Sequence, residues 1–155
     1  MEIRENYGMY YEDFEVGLII KHEIGRTISE ADNTWFTLLT MNGHQIHFNR
    51  EYAKKTRFGK IVVNSCLTLS IVTGITVNTL TAKAVANLGW DKVRLPAPVF
   101  VGDTIYVESE VLEKRISKTN VENGIITVKM IGYNQDNIII FEGNRTFLVL
   151  SRKDD

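Results

Sequence analysis

Apolar and polar residues alternate through the second half of the chain, and this pattern predicts a series of strands. The first alternating positions are Ile105, Val107, Ser109 and Val111. Two further strands are predicted over Ile125 to Tyr133 and Ile138 to Leu150, which are rich in β-branched residues. Gly102-Asp103, Asn123-Gly124 and Asn134 to Asn137 are typical of turns. Because successive strands joined by short turns must be antiparallel, an antiparallel sheet is expected.

The first half of the chain predicts one strand and two helices. Val16 to Ile28 carries spaced isoleucines and is entered through a glycine, which favours a strand. Ser29, with Asp32 three residues later, is close to a capping box, so a helix should begin there and end near Gly43. Its apolar stripe is Trp35, Phe36, Leu38 and Leu39. Arg50 to Arg57 is predicted to form a short second helix.

Ile61 to Leu80 is the ambiguous segment, because its residues suit either a strand or a buried helix. Its β-branched content and the alternation of Leu67, Leu69 and Ile71 favour a strand. The Asn64-Ser65 pair is a good helix cap, and a segment this long without a turn signal exceeds an ordinary strand. A buried helix is therefore predicted. One long helix covering a face of an antiparallel sheet makes an α+β domain.

Two proline residues limit what the segment before the alternating strands can form. Val93 to Phe100 contains both prolines of the chain, Pro96 and Pro98. Proline cannot donate to a strand ladder, so only an edge or irregular strand is expected here.

Composition narrows the class of protein and its location. The 155 residues suit one domain, taken as residues 1–155 with a core of about residues 11–150. The formal net charge of -1 gives no overall attraction to nucleic acid or anionic lipid. The first thirteen residues lack the apolar core of a signal peptide, and no apolar run approaches the roughly 20 residues that span a bilayer. We therefore expect a cytoplasmic protein without nucleic-acid or membrane partners.

Single residues add little to this picture outside one segment. Cys66 is the only cysteine, which excludes an internal disulfide and a thiolate metal cluster. We expect it to be a small buried residue rather than a nucleophile. His22, with polar neighbours on the first predicted strand, is expected at the surface.

The segment from Thr40 to Asn49 carries the most plausible chemistry. It holds two of the three histidines, His44 and His47, close to the carboxamides of Asn42 and Gln45. Imidazole titrates near neutrality, so neighbouring histidines are suited to proton transfer. A structural loop role is the alternative. A metal site is not expected, because no carboxylate or cysteine lies beside the pair to complete a ligand set.

Separate motifs in this chain resemble those of the MaoC-like dehydratases, and the resemblance runs from about Tyr11 to Leu150. The matching segments are Tyr11 to Gly17, the histidine segment, Asn64-Ser65 and Pro98 to Thr104. These relatives are single-hotdog proteins related to (R)-specific enoyl-CoA hydratases, so the resemblance implies a hotdog fold, an antiparallel sheet wrapped around one long buried helix. Asn87 to Asp91, Val93-Arg94 and Lys114-Arg115 look like the branch of mesaconyl-CoA and methylmalyl-CoA hydratases.

The resemblance also implies roles for site residues. His47 falls on the family's catalytic histidine, whereas Asn42 replaces the family's aspartate. An amide cannot accept a proton, so a two-base mechanism does not transfer, and His44 is the other residue able to titrate near neutrality. The backbone N–H of Ser65, at the start of the buried helix, matches the family's donor to the thioester oxygen.

These matches imply a hydro-lyase that hydrates an enoyl-CoA or dehydrates a 3-hydroxyacyl-CoA without a cofactor. Two alternatives stay open: a hotdog thioesterase, although no carboxylate occurs between Asn64 and Leu80, and a non-catalytic acyl-CoA-binding protein. The candidates for binding the coenzyme A phosphates are Arg57, Lys60 and Arg94. A homodimer with the active site at the subunit boundary is expected, because a lone hotdog leaves a sheet edge open.

Overall fold

Residues 6–152 are described by the computed structural model, and they contain one antiparallel sheet of six strands. The strands are β1 (Ile19–Lys21), β2 (Arg26–Thr27), β3 (Ala84–Arg94), β4 (Thr104–Ile116), β5 (Asn123–Tyr133) and β6 (Ile139–Leu150). Their order is β1-β4-β5-β6-β3, with β2 also pairing with β4. The ends of the predicted domain and part of the N-terminal segment, residues 1–5 and 153–155, lie outside the described residues.

Three α-helices accompany the sheet in this part of the chain: α1 (Glu30–Leu39), α2 (Arg50–Lys54) and α3 (Ser65–Ile75). Single helical turns occur at Tyr11–Asp13 and Gln45–His47, and a π-helical turn, Val77–Thr81, follows α3. The helix predicted over Ile61 to Leu80 is thus confirmed in type, with Asn64 as its N-cap. The capping box at Ser29 is also present, since its side chain accepts from the Asp32 amide.

The core lies between α3 and the concave face of the sheet. Inward residues of β4, β5 and β6 are fully buried, among them Val107, Val128 and Phe141. Gly132 in β5 lies close against α3, because a Cβ there would be 2.9 Å from a methyl group of Val72. A helix held against a curved antiparallel sheet in this way is the predicted α+β hotdog fold, which is confirmed.

Several element boundaries differ from the predictions. Val16 to Ile28 forms two short strands rather than one, and Arg50 to Arg57 is helical only as far as Lys54. The strand before the prolines is β3, Ala84–Arg94, so Val93 to Phe100 is mostly irregular, with a single bridge from Phe100 to Val62. Backbone without a proline can continue the ladder, whereas Pro96 and Pro98 end it.

Asn123-Gly124 was expected to be a turn, but both residues lie in β5. The turn precedes them, over residues 118–122. Gly124 is required for another reason, because the Tyr11 ring packs on its backbone where a Cβ would stand.

The predictions for His22 and Cys66 were also wrong. His22 is only 5% exposed, and its ring contacts the hydroxyls of Thr79 at 2.5 Å and Ser109 at 2.9 Å. This burial lowers the pKa of His22 to about 4. Cys66 is exposed in the first turn of α3. In both cases the tertiary arrangement, rather than the sequence neighbours, determines exposure.

Candidate active site

The loop between α1 and α2 is shaped by Asn42. Its backbone amide donates to the carbonyl of Thr37 at 2.9 Å, which closes the end of α1. Its side-chain Oδ1 accepts from the amide of His44 at 3.0 Å. Asn42 therefore holds the turn that leads into the two histidines. Within the described residues its Nδ2 group makes no hydrogen bond.

His44 is exposed and is the N-cap of the helical turn Gln45–His47. Its Nδ1 accepts from the amide of Ile46 at 3.2 Å, so the neutral ring carries its proton on Nε2. The ring meets Tyr52 edge-on, and its centroid lies 5.9 Å from that of His47. His44 thus presents an N–H donor beside His47.

His47 has the opposite tautomer. Its Nδ1 lies 2.8 Å from the carbonyl oxygen of Val62. A carbonyl can only accept, so Nδ1 must carry the proton and the lone pair of the neutral ring is on Nε2. Nε2 has no hydrogen-bond partner among the described residues. The half-buried His47 therefore offers an oriented proton acceptor.

Asn33 joins this loop to the start of α3, and the sequence prediction missed it. Its fully buried side chain donates from Nδ2 to the carbonyls of His47 at 2.9 Å and Val62 at 3.1 Å. Its Oδ1 accepts from the Asn64 amide at 2.8 Å. One carboxamide thus ties together the three segments that carry the candidate site.

The N-terminus of α3 presents a free backbone donor. Asn64 caps the helix by accepting from the Cys66 amide at 2.9 Å, and its Nδ2 donates to the Thr37 hydroxyl at 3.2 Å. The Ser65 amide donates to no acceptor within the part of the chain that the structure describes. A free N–H at the positive end of a helix dipole suits an oxygen that gains negative charge.

Ser65 borders a cleft of about 250 Å³. The remaining lining residues are Arg57, Phe58, Val62, Val63, Thr68, Leu95, Pro96, Ala97, Pro98 and Val99. His47 is outside this lining but is bonded to the carbonyl of Val62, which belongs to it. Short bonded paths therefore connect His47, Ser65 and Asn42.

The three predicted phosphate-binding residues do not share one surface. Arg57 lies in the cleft with Ser65. Lys60 packs its ammonium 4.0 Å from the Phe100 ring centroid and borders a different depression. Arg94, at the end of β3, borders a third depression. Only Arg57 therefore lies beside the free amide.

Little charge lines the cleft beside Ser65. Arg57 is the single charged residue in the cleft lining.

Among residues 6–152, no group of three or more His, Cys, Asp or Glu side chains is arranged to hold a metal ion. None of the helices in that range combines the length and apolar character needed to cross a bilayer.

Comparison with known proteins gives consistent matches. The family model described as the MaoC like domain matches residues 13–134. A β-methylmalyl-CoA dehydratase of Chloroflexus aurantiacus is 32% identical over 98% of this chain, and a mesaconyl-CoA hydratase of Cereibacter sphaeroides is 29% identical over 97% of it. The chain spans only 43% of the length of each of these relatives.

A solved structure of similar size also matches. It is a monoamine oxidase regulatory protein from Archaeoglobus fulgius, 32% identical, with a TM-score of 0.82 over 96% of this chain and 99% of that chain.

Proposed function

Because the chain belongs to the MaoC-like domain family, we propose that it is a hydro-lyase that adds water reversibly to an enoyl-CoA thioester. The observation that carries this proposal is the bonded unit made by Asn33. It holds His47, with a free Nε2 acceptor, next to the start of α3, where the Ser65 amide is free. These are the two functions that hydration of a conjugated thioester requires, a base for water and a donor for the thioester oxygen.

The proposed reaction follows from these two groups. The Ser65 N–H donates to the thioester oxygen, which gains negative charge as the double bond is attacked. His47 Nε2 takes one proton from water while the hydroxyl oxygen bonds to the β carbon. The resulting imidazolium returns that proton to the α carbon, so the net change is addition of one water across the double bond. Dehydration runs through the same steps in reverse.

His47 is a better base than His44 because of their tautomers. A proton added to His44 would go to Nδ1 and displace the hydrogen bond from the Ile46 amide. A proton added to His47 goes to the unengaged Nε2 and leaves the bond to Val62 intact. We assign His44 the role of donor to the attacking water, and Asn42 the role of holding the loop and orienting that water.

The acyl group is proposed to be short. The cleft volume of about 250 Å³ lies below the roughly 300–1,000 Å³ of pockets for drug-sized ligands. The names of the two relatives refer to mesaconyl-CoA and β-methylmalyl-CoA. A small branched acyl group is consistent with both. Arg57, Lys60 and Arg94 remain candidates for the coenzyme A phosphates, and the mechanism uses only the coenzyme A thioester and water, without a cofactor.

A homodimer is part of the proposal. Edge strand β3 exposes large apolar side chains, and its outer side pairs with no described strand. These side chains are Val85, Leu88, Trp90 and Val93, and Leu95 directly after the strand adds a fifth; each is between 41% and 52% exposed. Pairing of β3 with a second copy would cover them and close the sheet edge. A folded monomer that does not associate with increasing concentration in sedimentation equilibrium would exclude this.

Hydration of mesaconyl-CoA and crotonyl-CoA, followed by loss of the ultraviolet absorbance of the conjugated thioester, tests the proposal. The His47→Ala variant should lose about 10²- to 10⁴-fold in rate while its thermal melt stays close to the parent's. His22→Ala is unsuitable as a control because that residue is buried, whereas Lys118→Ala, at an exposed residue in the turn before β5, should leave the hydration rate at the parent's value. Release of free thiol would indicate a thioesterase, and binding without turnover would indicate an acyl-CoA-binding protein.

A further inference from the structure

We propose that Asn42 is a site of spontaneous deamidation, which gives the loop of the two histidines a carboxylate that the translated sequence lacks. Asn42 is followed directly by Gly43, and the pair lies between α1 and α2. The conversion needs only the folded chain and water, so it does not depend on the proposed hydration.

The reaction takes place between the side chain of Asn42 and the next peptide. The Gly43 nitrogen gives its proton to solvent and bonds to Cγ of Asn42, and the bond from Cγ to Nδ2 breaks. Nδ2 takes a proton from solvent and leaves as ammonia, and a cyclic succinimide remains. Water opens this ring at Cγ to give aspartate, or at the main-chain carbonyl carbon to give isoaspartate. The net change consumes one water and releases one ammonia.

The nucleophile and the leaving group are both unengaged. Gly43 is exposed, and among the described residues neither its amide N–H nor the Nδ2 group of Asn42 makes a hydrogen bond. Both groups can therefore change their bonding without first breaking a contact. A Cβ on Gly43 would meet nothing within 4 Å, so no neighbouring group crowds this peptide.

The side-chain carbonyl of Asn42 is positioned and polarised by one hydrogen bond. Its Oδ1 accepts from the His44 amide at 3.0 Å, so the side chain folds over the Gly43 peptide between them. This turn brings Cγ towards the attacking nitrogen. The attack moves negative charge onto Oδ1, and the His44 N–H then donates to an anionic oxygen, which stabilises the tetrahedral intermediate.

The second Asn-Gly pair of the chain, Asn123-Gly124, has the opposite surroundings. It lies in β5, where Asn123 is 6% exposed and Gly124 pairs with Ile116 of β4 and Val149 of β6. The Tyr11 ring packs on Gly124 where a Cβ would stand. The strand must open locally before Asn123 can form the ring. The same dipeptide is therefore reactive in the loop and protected in the sheet.

The aspartate product fits the loop. Its carboxylate keeps the acceptor for the His44 amide, and a charged acceptor strengthens that bond. The conversion lowers the formal net charge from -1 by one unit. It also adds a group that can accept a proton to a segment in which the candidate bases are imidazoles.

Peptide mapping tests the proposal. The protein is incubated at mildly alkaline pH, either folded or in urea, and digested with trypsin. Mass spectrometry follows residues 27–50, which contain Asn42, and residues 119–129, which contain Asn123. In the folded chain Asn42 should convert at least about 10-fold faster than Asn123, whereas the two rates should be similar in urea. Fragmentation of the first peptide assigns the conversion to Asn42 rather than to its other asparagines.

Gly43→Ala is the matched variant, because a methyl group fits there without contact and hinders the attacking nitrogen. It should slow the conversion of the folded chain severalfold, and isoelectric focusing should show a smaller acidic fraction. An Asn42 that stays intact in the folded chain but converts in urea would overturn the proposal. Equal rates at Asn42 and Asn123 in the folded chain, or an unchanged rate in Gly43→Ala, would do the same. None of these readouts measures hydration, so a failure of the proposed function is distinguishable.

Discussion

Acidification from pH 6.5 to 4 should destabilise the fold through His22, a residue that the proposed reaction does not use. Its ring is buried between two hydroxyls, those of Thr79 and Ser109, and none of the carboxylates in the described part of the chain is bonded to it. Burial penalises the charged ring and lowers the pKa from 6.5 to about 4. Either hydroxyl can accept from a protonated ring, so the cost is the lost hydration of the charge rather than a lost hydrogen bond.

The size and sign of the effect follow from proton linkage. Between pH 6.5 and 4 the unfolded chain binds a proton at His22 that the folded chain does not, so stability falls as pH falls through this window. The pKa difference of 6.5 minus about 4, at about 1.4 kcal/mol per pH unit, corresponds to roughly 3 kcal/mol. This contribution is complete above pH 6.5 and absent below about pH 4. It is a large share of the about 5–15 kcal/mol by which domains are typically stable.

Urea denaturation of the parent and His22→Gln at several pH values between 7 and 4 measures the effect. Glutamine keeps a donor and an acceptor but does not titrate. The difference in unfolding free energy between the two chains should change by roughly 3 kcal/mol over this range, whereas carboxylate titrations cancel between them. Protein concentration must be held constant because association shifts apparent stability. Parallel curves for the parent and His22→Gln would refute the assignment.

Two further substitutions address the loop and its anchor. Asn42→Ala removes the acceptor for the His44 amide and should lower the hydration rate about 10-fold or more. Asn42→Asp keeps that acceptor and should be tolerated far better. If Asn42→Ala hydrates as fast as the parent, the side chain has no role in the reaction. Asn33→Ala leaves the buried Asn64 amide and the carbonyls of His47 and Val62 without their partner, so urea denaturation should show a loss of about 2–4 kcal/mol, and a loss below about 0.5 kcal/mol would contradict the anchoring role.

The fold could be predicted where local signals and burial agree. The Asn64-Ser65 cap identified α3 correctly despite its β-branched residues, because a side-chain acceptor for the first helical amides is a local interaction. Successive residues of β4 to β6 point alternately towards the core and towards the opposite, more exposed face of the sheet. The alternation of apolar and polar residues is therefore visible in the sequence. β3 lacks that alternation, since most of its residues are exposed in the single chain. An edge strand was therefore predicted over Val93 to Phe100, after the segment in which the strand is found.

The candidate site was only partly predictable. His47 and Ser65 lie in motifs that carry the family resemblance, so the sequence alone indicates them as candidates. Asn33 carries no such signal, because a carboxamide within a helix is usually a surface residue, and its importance depends on where the His47 loop and α3 meet it. His22 illustrates the same limit, because its hydroxyl partners lie 57 and 87 residues away in the chain.

If Asn42 stands where the family carries an aspartate, as the resemblance implies, the replacement fits a framework built from neutral groups. The side-chain bonds that position His47 and Ser65 come from Asn33, Asn42 and Asn64, and within residues 6–152 none comes from a carboxylate. On the proposed mechanism, the imidazolium of His47 forms in the same step as the enolate at the Ser65 amide. Among the described residues, no carboxylate is bonded to the His47 ring to stabilise its charged form before the reaction. The enolate is therefore the counter-ion of the imidazolium, and the two groups attract each other only while both are charged. Stabilisation confined to that stage lowers the barrier without tightening binding of the resting thioester.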